Sequence, residues 1–192
     1  MDRKQLAYRI SQIFHPAVIE TPAAITALYM YGLTAGEILY FAVIPIATLT
    51  AVLYALLRIP RYRGLDMDIQ KDRHIMYPPA ILLLSIFAAL TSLLNGPEII
   101  VSLYPGMVGV AVVNFLVNRE VKISLHTTGM GVLTAIFTGI FGMLGLAFFL
   151  ASVFVGWSRI MLRRHTLTEA MLGFFVSYSL VLSSLLVWMG SA

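Results

Sequence analysis

The sequence predicts an all-α protein: a polytopic transmembrane bundle of six to seven spans, preceded by an N-terminal interfacial amphipathic helix. Three observations carry this. Of 192 residues, 59% are hydrophobic and 11% charged, with a mean hydropathy of +0.89. A soluble domain holds about 45–50% apolar and about 25% charged residues. Long stretches lack any Asp, Glu, Lys or Arg, and a helix needs about 20 apolar residues to cross the hydrocarbon core. All 13 Lys and Arg residues fall in four segments, and threading the helices back and forth delivers those segments to one membrane face.

Residues 2–14 are the first element. Leu6, Ile10, Ile13 and Phe14 share a helical face, with Arg3, Lys4 and Arg9 elsewhere, the pattern of a helix lying in the interface. Residues 1–15 are therefore set apart from 16–192, which form a single transmembrane bundle. The stretch 21–35 is apolar but short, and Gly32 and Gly36 break it from the next helix. Uncharged stretches at 38–57, 74–97, 99–118, 123–158 and 170–192 supply the other spans. The stretch 123–158 has 36 residues, too many for one crossing at about 1.5 Å per residue. Gly139, Gly142 and Gly145 mark a turn within it, so it reads as two helices, 124–140 and 143–161. The longest polar segment, 58–73, holds Arg58, Arg61, Arg63, Asp66, Asp68, Lys71, Asp72 and Arg73.

This threading puts the N-terminus, 58–73, 119–123 and 159–166 on one face. The opposite loops, near 33–37, 95–98 and 141–144, contain no Lys or Arg. The positive-inside rule then makes the basic face cytoplasmic. Basic membrane loops account for a pI near 9.5, so no nucleic-acid partner is expected. There is no cysteine, which excludes disulfides, a thiol nucleophile and thiolate metal sites. Met1-Asp2-Arg3-Lys4 opens no short apolar run with a small-residue cleavage site, so no cleaved leader is expected. Helix interiors are almost devoid of ionisable groups, which argues against a mid-membrane transport pathway.

Polar chemistry concentrates at the ends of two apolar runs, in Ser124-Leu125-His126 and in Ser158-Arg159 through Glu169. Each residue has an ordinary explanation. Arg163 and Arg164 suit interface anchors, Ser124 a helix cap, and His126 a structural histidine. Thr166-Leu167-Thr168-Glu169 matches a capping box. The combination offers more. Glu169, four residues after His165, can hold one imidazole nitrogen and leave the other as a nucleophile. Ser124 at a helix start offers a hydroxyl beside unpaired N–H groups, a natural anion site. Arg159 offers a planar fork for phosphate oxygens, and His126 a proton for a leaving oxygen.

Ser158-Arg159, five residues, His165, three residues and an acid resembles the third motif of the type 2 phosphatidic acid phosphatase superfamily. Ser124-Leu125-His126 is similar to its second motif, and Lys71 stands where the lysine of its first would be. The wider texture, Ile10 to Pro16 and Lys122 to His126, resembles a small prokaryotic branch of that family. The chain departs from the pattern at four places: Glu169 replaces an aspartate, Leu125 a glycine, Ile123 a proline, and Pro78-Pro79 an Arg-Pro pair.

The resemblance implies an integral membrane lipid phosphatase that needs no metal or other cofactor. His165 attacks phosphorus, Glu169 orients it and His126 protonates the departing alkoxide. Lys71, Arg159, Ser124 and the backbone N–H of Leu125 hold the phosphoryl oxygens, and Arg73 or Arg164 replaces the missing motif arginine. The expected partners are a lipid phosphate, either an isoprenoid phosphate or diphosphate or a glycerolipid phosphate, and membrane lipids; oligomeric state stays open. A phosphotransferase on the same fold and a non-catalytic lipid-binding or transport protein are the alternatives. The resemblance implies a prokaryotic cell membrane with the site on its outer side, against the charge count.

Overall fold

A computed structural model describes residues 2–15, 18, 19, 21–58, 70 and 74–189. Lys71 and Arg73, the segment 59–69, and Glu20 lie outside the described residues. The chain is helical, with no strand among the described residues. Its helices are α1 (Arg3–Ile13), α2 (Thr21–Tyr31), α3 (35–58), α4 (Tyr77–Leu93), α5 (Glu98–Val117), α6 (Leu125–Phe141), α7 (Gly145–Met161) and α8 (Leu167–Met189). Five stretches are long and apolar enough to cross a membrane: Ala35–Leu56, His74–Leu93, Glu98–Val117, Leu125–Met161 and Leu167–Trp188. This is a membrane protein.

The fourth stretch is a hairpin. Helices α6 and α7 have 17 residues each and meet at Gly142, whose φ of 58° with ψ of −110° suits only a residue without a Cβ. Each rises about 25 Å, enough to cross a hydrocarbon core of about 30 Å only if the bilayer thins slightly. The 11 residues of α2 rise about 16 Å, short of a full crossing.

Helix ends follow local rules. Thr34 and Glu37 form a capping box that starts α3, which places Glu37 at a helix terminus rather than inside a span. A π-helical turn, Leu39–Val43, interrupts α3. Pro78 and Pro79 occupy the first turn of α4, where a missing N–H costs nothing. Helices α2, α4 and α7 each close with the paired backbone bonds of a Schellman turn, with Gly32, Asn95 and Arg163 in the left-handed position.

Helix α6 is the centre of the bundle, with Thr127, Thr128, Met130, Gly131 and Leu133 through Phe137 buried. It packs against α7 and, most extensively, against α8, which also packs against α5; α4 covers α5, and α1 lies on α7. Small residues permit the close approaches. A Cβ on Gly131 would meet Ser177 Oγ at 2.1 Å and Phe174 O at 2.4 Å. Ser177 Oγ donates across the same contact to Thr128 O at 2.8 Å, a polar bridge of the kind that joins membrane helices.

A second bridge repairs α5. Beside Pro105, Ser184 Oγ of α8 donates to Ser102 O at 2.6 Å and accepts the Gly106 N–H at 3.0 Å. In an uninterrupted helix those two backbone groups would bond each other. Ser184→Ala removes the inserted hydroxyl, and the expected loss is about 1 kcal/mol, read as a lowered unfolding midpoint in detergent.

Helix α1 turns its small residues to the bundle. Ala7 and Ser11 are buried and Ile10 and Phe14 half-buried, while Leu6 and Ile13 are 39% and 52% exposed. The reason is size and polarity: Ala7 and Ser11 let α1 come close to α7, and Ser11 finds a hydrogen-bonding partner there.

Candidate functional site

The basic helix ends gather at one end of the bundle. Gln70 is joined to the end of α5: its Nε2 donates to Asn118 O at 2.6 Å, and Asn118 Nδ2 donates to Gln70 O at 3.0 Å. Lys71 is the next residue in sequence, but neither it nor Arg73 is among the described residues.

His165 lies between the Schellman turn that ends α7 and the first turn of α8. Thr166 caps α8. Its Oγ1 accepts the Glu169 N–H at 3.2 Å, and Glu169 Oε2 accepts the Thr166 N–H at 3.2 Å. The same Oε2 lies 2.9 Å from His165 Nδ1. The two roles weighed for Glu169, cap and histidine partner, are thus met by one oxygen. The i, i+4 spacing works through the capping box, because α8 begins only at Leu167.

His165 Nδ1 also faces Lys122 O at 3.2 Å. A carboxylate and a carbonyl oxygen both only accept, so Nδ1 carries the proton and donates to both. In the neutral ring the lone pair is then on Nε2. The imidazole side chain is 1% exposed and that of Glu169 is 20% exposed, which strengthens their interaction relative to a surface pair.

An open cleft of about 410 Å³ lies over this pair, lined by Lys122, Ile160, Arg163, Arg164, His165, Thr166 and Glu169. Lys122 Nζ donates to Arg164 O at 3.4 Å, which ties the loop before α6 to the turn after α7. Arg163 holds a φ of 54°, a conformation that costs a non-glycine residue about 1–2 kcal/mol. Three cations around one carboxylate suit an anionic ligand.

Arg159 and His126 form a second cluster, under α1. Arg159 Nη1 donates to Ser11 Oγ at 2.7 Å. His126 is half-buried beside the Ser11 backbone, Arg159, His15 and His165. The His15 ring stands edge-on to His126, with centroids 5.3 Å apart and planes at 89°. No match to this chain exists among protein-family models, curated proteins or solved structures.

Ser124 is fully buried, and its hydroxyl accepts the Thr127 N–H at 3.5 Å as the cap of α6. Its own N–H donates to Glu169 O at 3.4 Å, and Gly173 presses against its carbonyl, where a Cβ would come within 2.8 Å. Ser124 thus joins the starts of α6 and α8 and does not line the cleft. Leu125, the first residue of α6, is half-buried and also absent from the cleft lining. The structure therefore brings His165, Glu169 and Arg164 together in the cleft, and Arg159 and His126 together under α1.

Sequence reasoning read Arg163 as an interface anchor and missed three contributors: the Lys122 carbonyl, Ser11 and His15. Nothing in a sequence marks a carbonyl as an acceptor. For Ser11 and His15 a signal existed, since they follow Ala7 at four-residue steps and so share its face.

Proposed function

We propose that this protein is a membrane lipid phosphatase working through a phosphohistidine. The observation that carries this is His165 itself. Its Nδ1 is held by Glu169 and Lys122 O, so its nucleophilic lone pair is on Nε2, beside a cleft edged by Lys122, Arg163 and Arg164. The likeness to the third motif of the type 2 phosphatidic acid phosphatase superfamily supports the same reading.

In the first step Nε2 attacks phosphorus, an N–P bond forms, and the bond from phosphorus to the lipid oxygen breaks. The alkoxide takes a proton from His126, the role the family resemblance gives it. In the second step water attacks the phosphohistidine and gives a proton back to His126; inorganic phosphate leaves and the Nε2 lone pair is restored. The cations around the cleft stabilise charge on the transferring group. The substrate is a lipid phosphate, either an isoprenoid phosphate or diphosphate or a glycerolipid phosphate, with its chain among the helices and its head group at the basic end. Purified protein is expected to release phosphate from lipid phosphates in detergent; no release from any of a panel sinks the proposal.

One observation favours a second reading. Ser124 is committed to its cap and Arg159 bonds Ser11, so two of the phosphate ligands expected by resemblance have protein partners. A lipid-phosphate-binding protein without turnover fits that arrangement, and it would bind substrate with no release. A phosphotransferase differs only in the acceptor that replaces water, and product analysis with added alcohols separates it.

We further infer six full crossings, α3 to α8, from the hairpin at Gly142. A seventh follows from α2 and its flanks, because His15 is beside His126 at the basic end while the Thr34 cap opens α3 at the other. Helix α1 then lies in the interface, and the basic end faces the cytoplasm of a prokaryotic cell. The absence of native cysteine makes the test simple. Thr168→Cys at the basic end is expected to react with an impermeant maleimide only in inside-out vesicles, and Asn95→Cys only in right-side-out ones. The reverse pattern places the site outside.

A further inference from the structure

The N-terminal helix is docked on the part of the site that the cleft does not reach. Ser11 is 2% exposed, and its hydroxyl accepts Arg159 Nη1–H at 2.7 Å. Its backbone lies beside His126. One turn further on, His15 meets the His126 ring edge-on at 5.3 Å. Ala7, one turn earlier, is completely buried where α1 lies on α7. A single small residue thus touches the guanidinium assigned to the phosphoryl oxygens and the imidazole assigned to the leaving oxygen.

We infer that α1 is part of the reaction site and that Ser11 is a positioning residue, holding Arg159 in register with His126 and His165. This rests on the phosphatase reading above. The physical case is that the guanidinium needs a fixed orientation. Arginine has many rotamers, and holding its fork before substrate arrives removes that entropy cost from the bound state. Ser11 takes one of five guanidinium N–H donors. The sequence marks only the spacing, Ala7, Ser11 and His15; the pairing with α7 and α6 is tertiary.

The opposite role for the same contact is a cover. In that case Ser11 Oγ occupies the place of a phosphoryl oxygen, and α1 must leave before substrate binds. Ser11→Ala separates the two, because alanine suits a helix and leaves the docking face small. Positioning predicts a kcat about 10–100-fold lower, the usual cost of losing such a supporting partner, with KM little changed, and Ser11→Thr restoring most of the rate through its hydroxyl. An unchanged or higher kcat in Ser11→Ala overturns the inference, and a higher one identifies α1 as a cover.

A second measurement does not depend on turnover. In protein labelled with 15N-arginine in micelles, the Arg159 guanidinium protons are expected to be protected from exchange in wild type and in Ser11→Thr, and to exchange faster in Ser11→Ala. Equal exchange in all three overturns the inference. A wild type with no phosphatase activity removes the functional reading, yet the Arg159 signal still decides whether Ser11 holds it.

Discussion

Replacing His165 by alanine is expected to cut phosphate release from lipid phosphates at least about 1000-fold, the scale seen when a covalent nucleophile is removed. Binding should survive, since Lys122, Arg163 and Arg164 still edge the cleft. A lipid labelled in its phosphate should leave label on the wild-type protein after an alkaline quench, because phosphohistidine is stable in base and lost in acid, and His165→Ala should carry none. The fold should tolerate the change, because the Thr166–Glu169 cap that starts α8 does not use the imidazole. Label retained in His165→Ala, or an unchanged rate, rules out His165 as the nucleophile.

Glu169 separates stability from catalysis. One oxygen both caps α8 and holds His165. Glutamine keeps an amide oxygen for the Thr166 N–H but loses the charge opposite the imidazole. Losing the equivalent carboxylate of a serine protease costs about 10⁴-fold, because the histidine takes the wrong tautomer. Here Lys122 O also accepts from Nδ1 and keeps the tautomer, so Glu169→Gln is expected to cost only about 100-fold in kcat, with little change in unfolding midpoint. Glu169→Ala also loses the cap, and its stability should fall by about 1 kcal/mol. A rate loss in Glu169→Gln as large as that of His165→Ala would show that Lys122 O does not serve as a second acceptor. No rate loss would remove Glu169 from the reaction.

Local chemistry was legible. The apolar hairpin was expected at 124–140 and 143–161 and is found at Leu125–Phe141 and Gly145–Met161, because glycines mark the turn and uncharged runs mark the spans. Thr166 to Glu169 was readable as a capping box, since that motif lies within one helical turn. The Ser124 cap was legible in the same way, and its hydroxyl accepts the Thr127 N–H. The contact of α1 with α7 was not legible: Ala7 and Ser11 are the residues it buries, and a sequence does not show which helix a small face will approach.

The sequence by itself determined that the chain is a helical membrane protein, where its long helices run, and which helix ends carry cations. Those properties follow from residue-by-residue transfer into lipid and from chain length per turn. Only the tertiary structure decided how those ends are organised. His165 and Glu169 face an open cleft with Lys122, Arg163 and Arg164, while Arg159 and His126 lie under α1 in contact with Ser11 and His15. That division depends on backbone carbonyls and on the close approach of α1 to α7, neither of which has a residue-type signature.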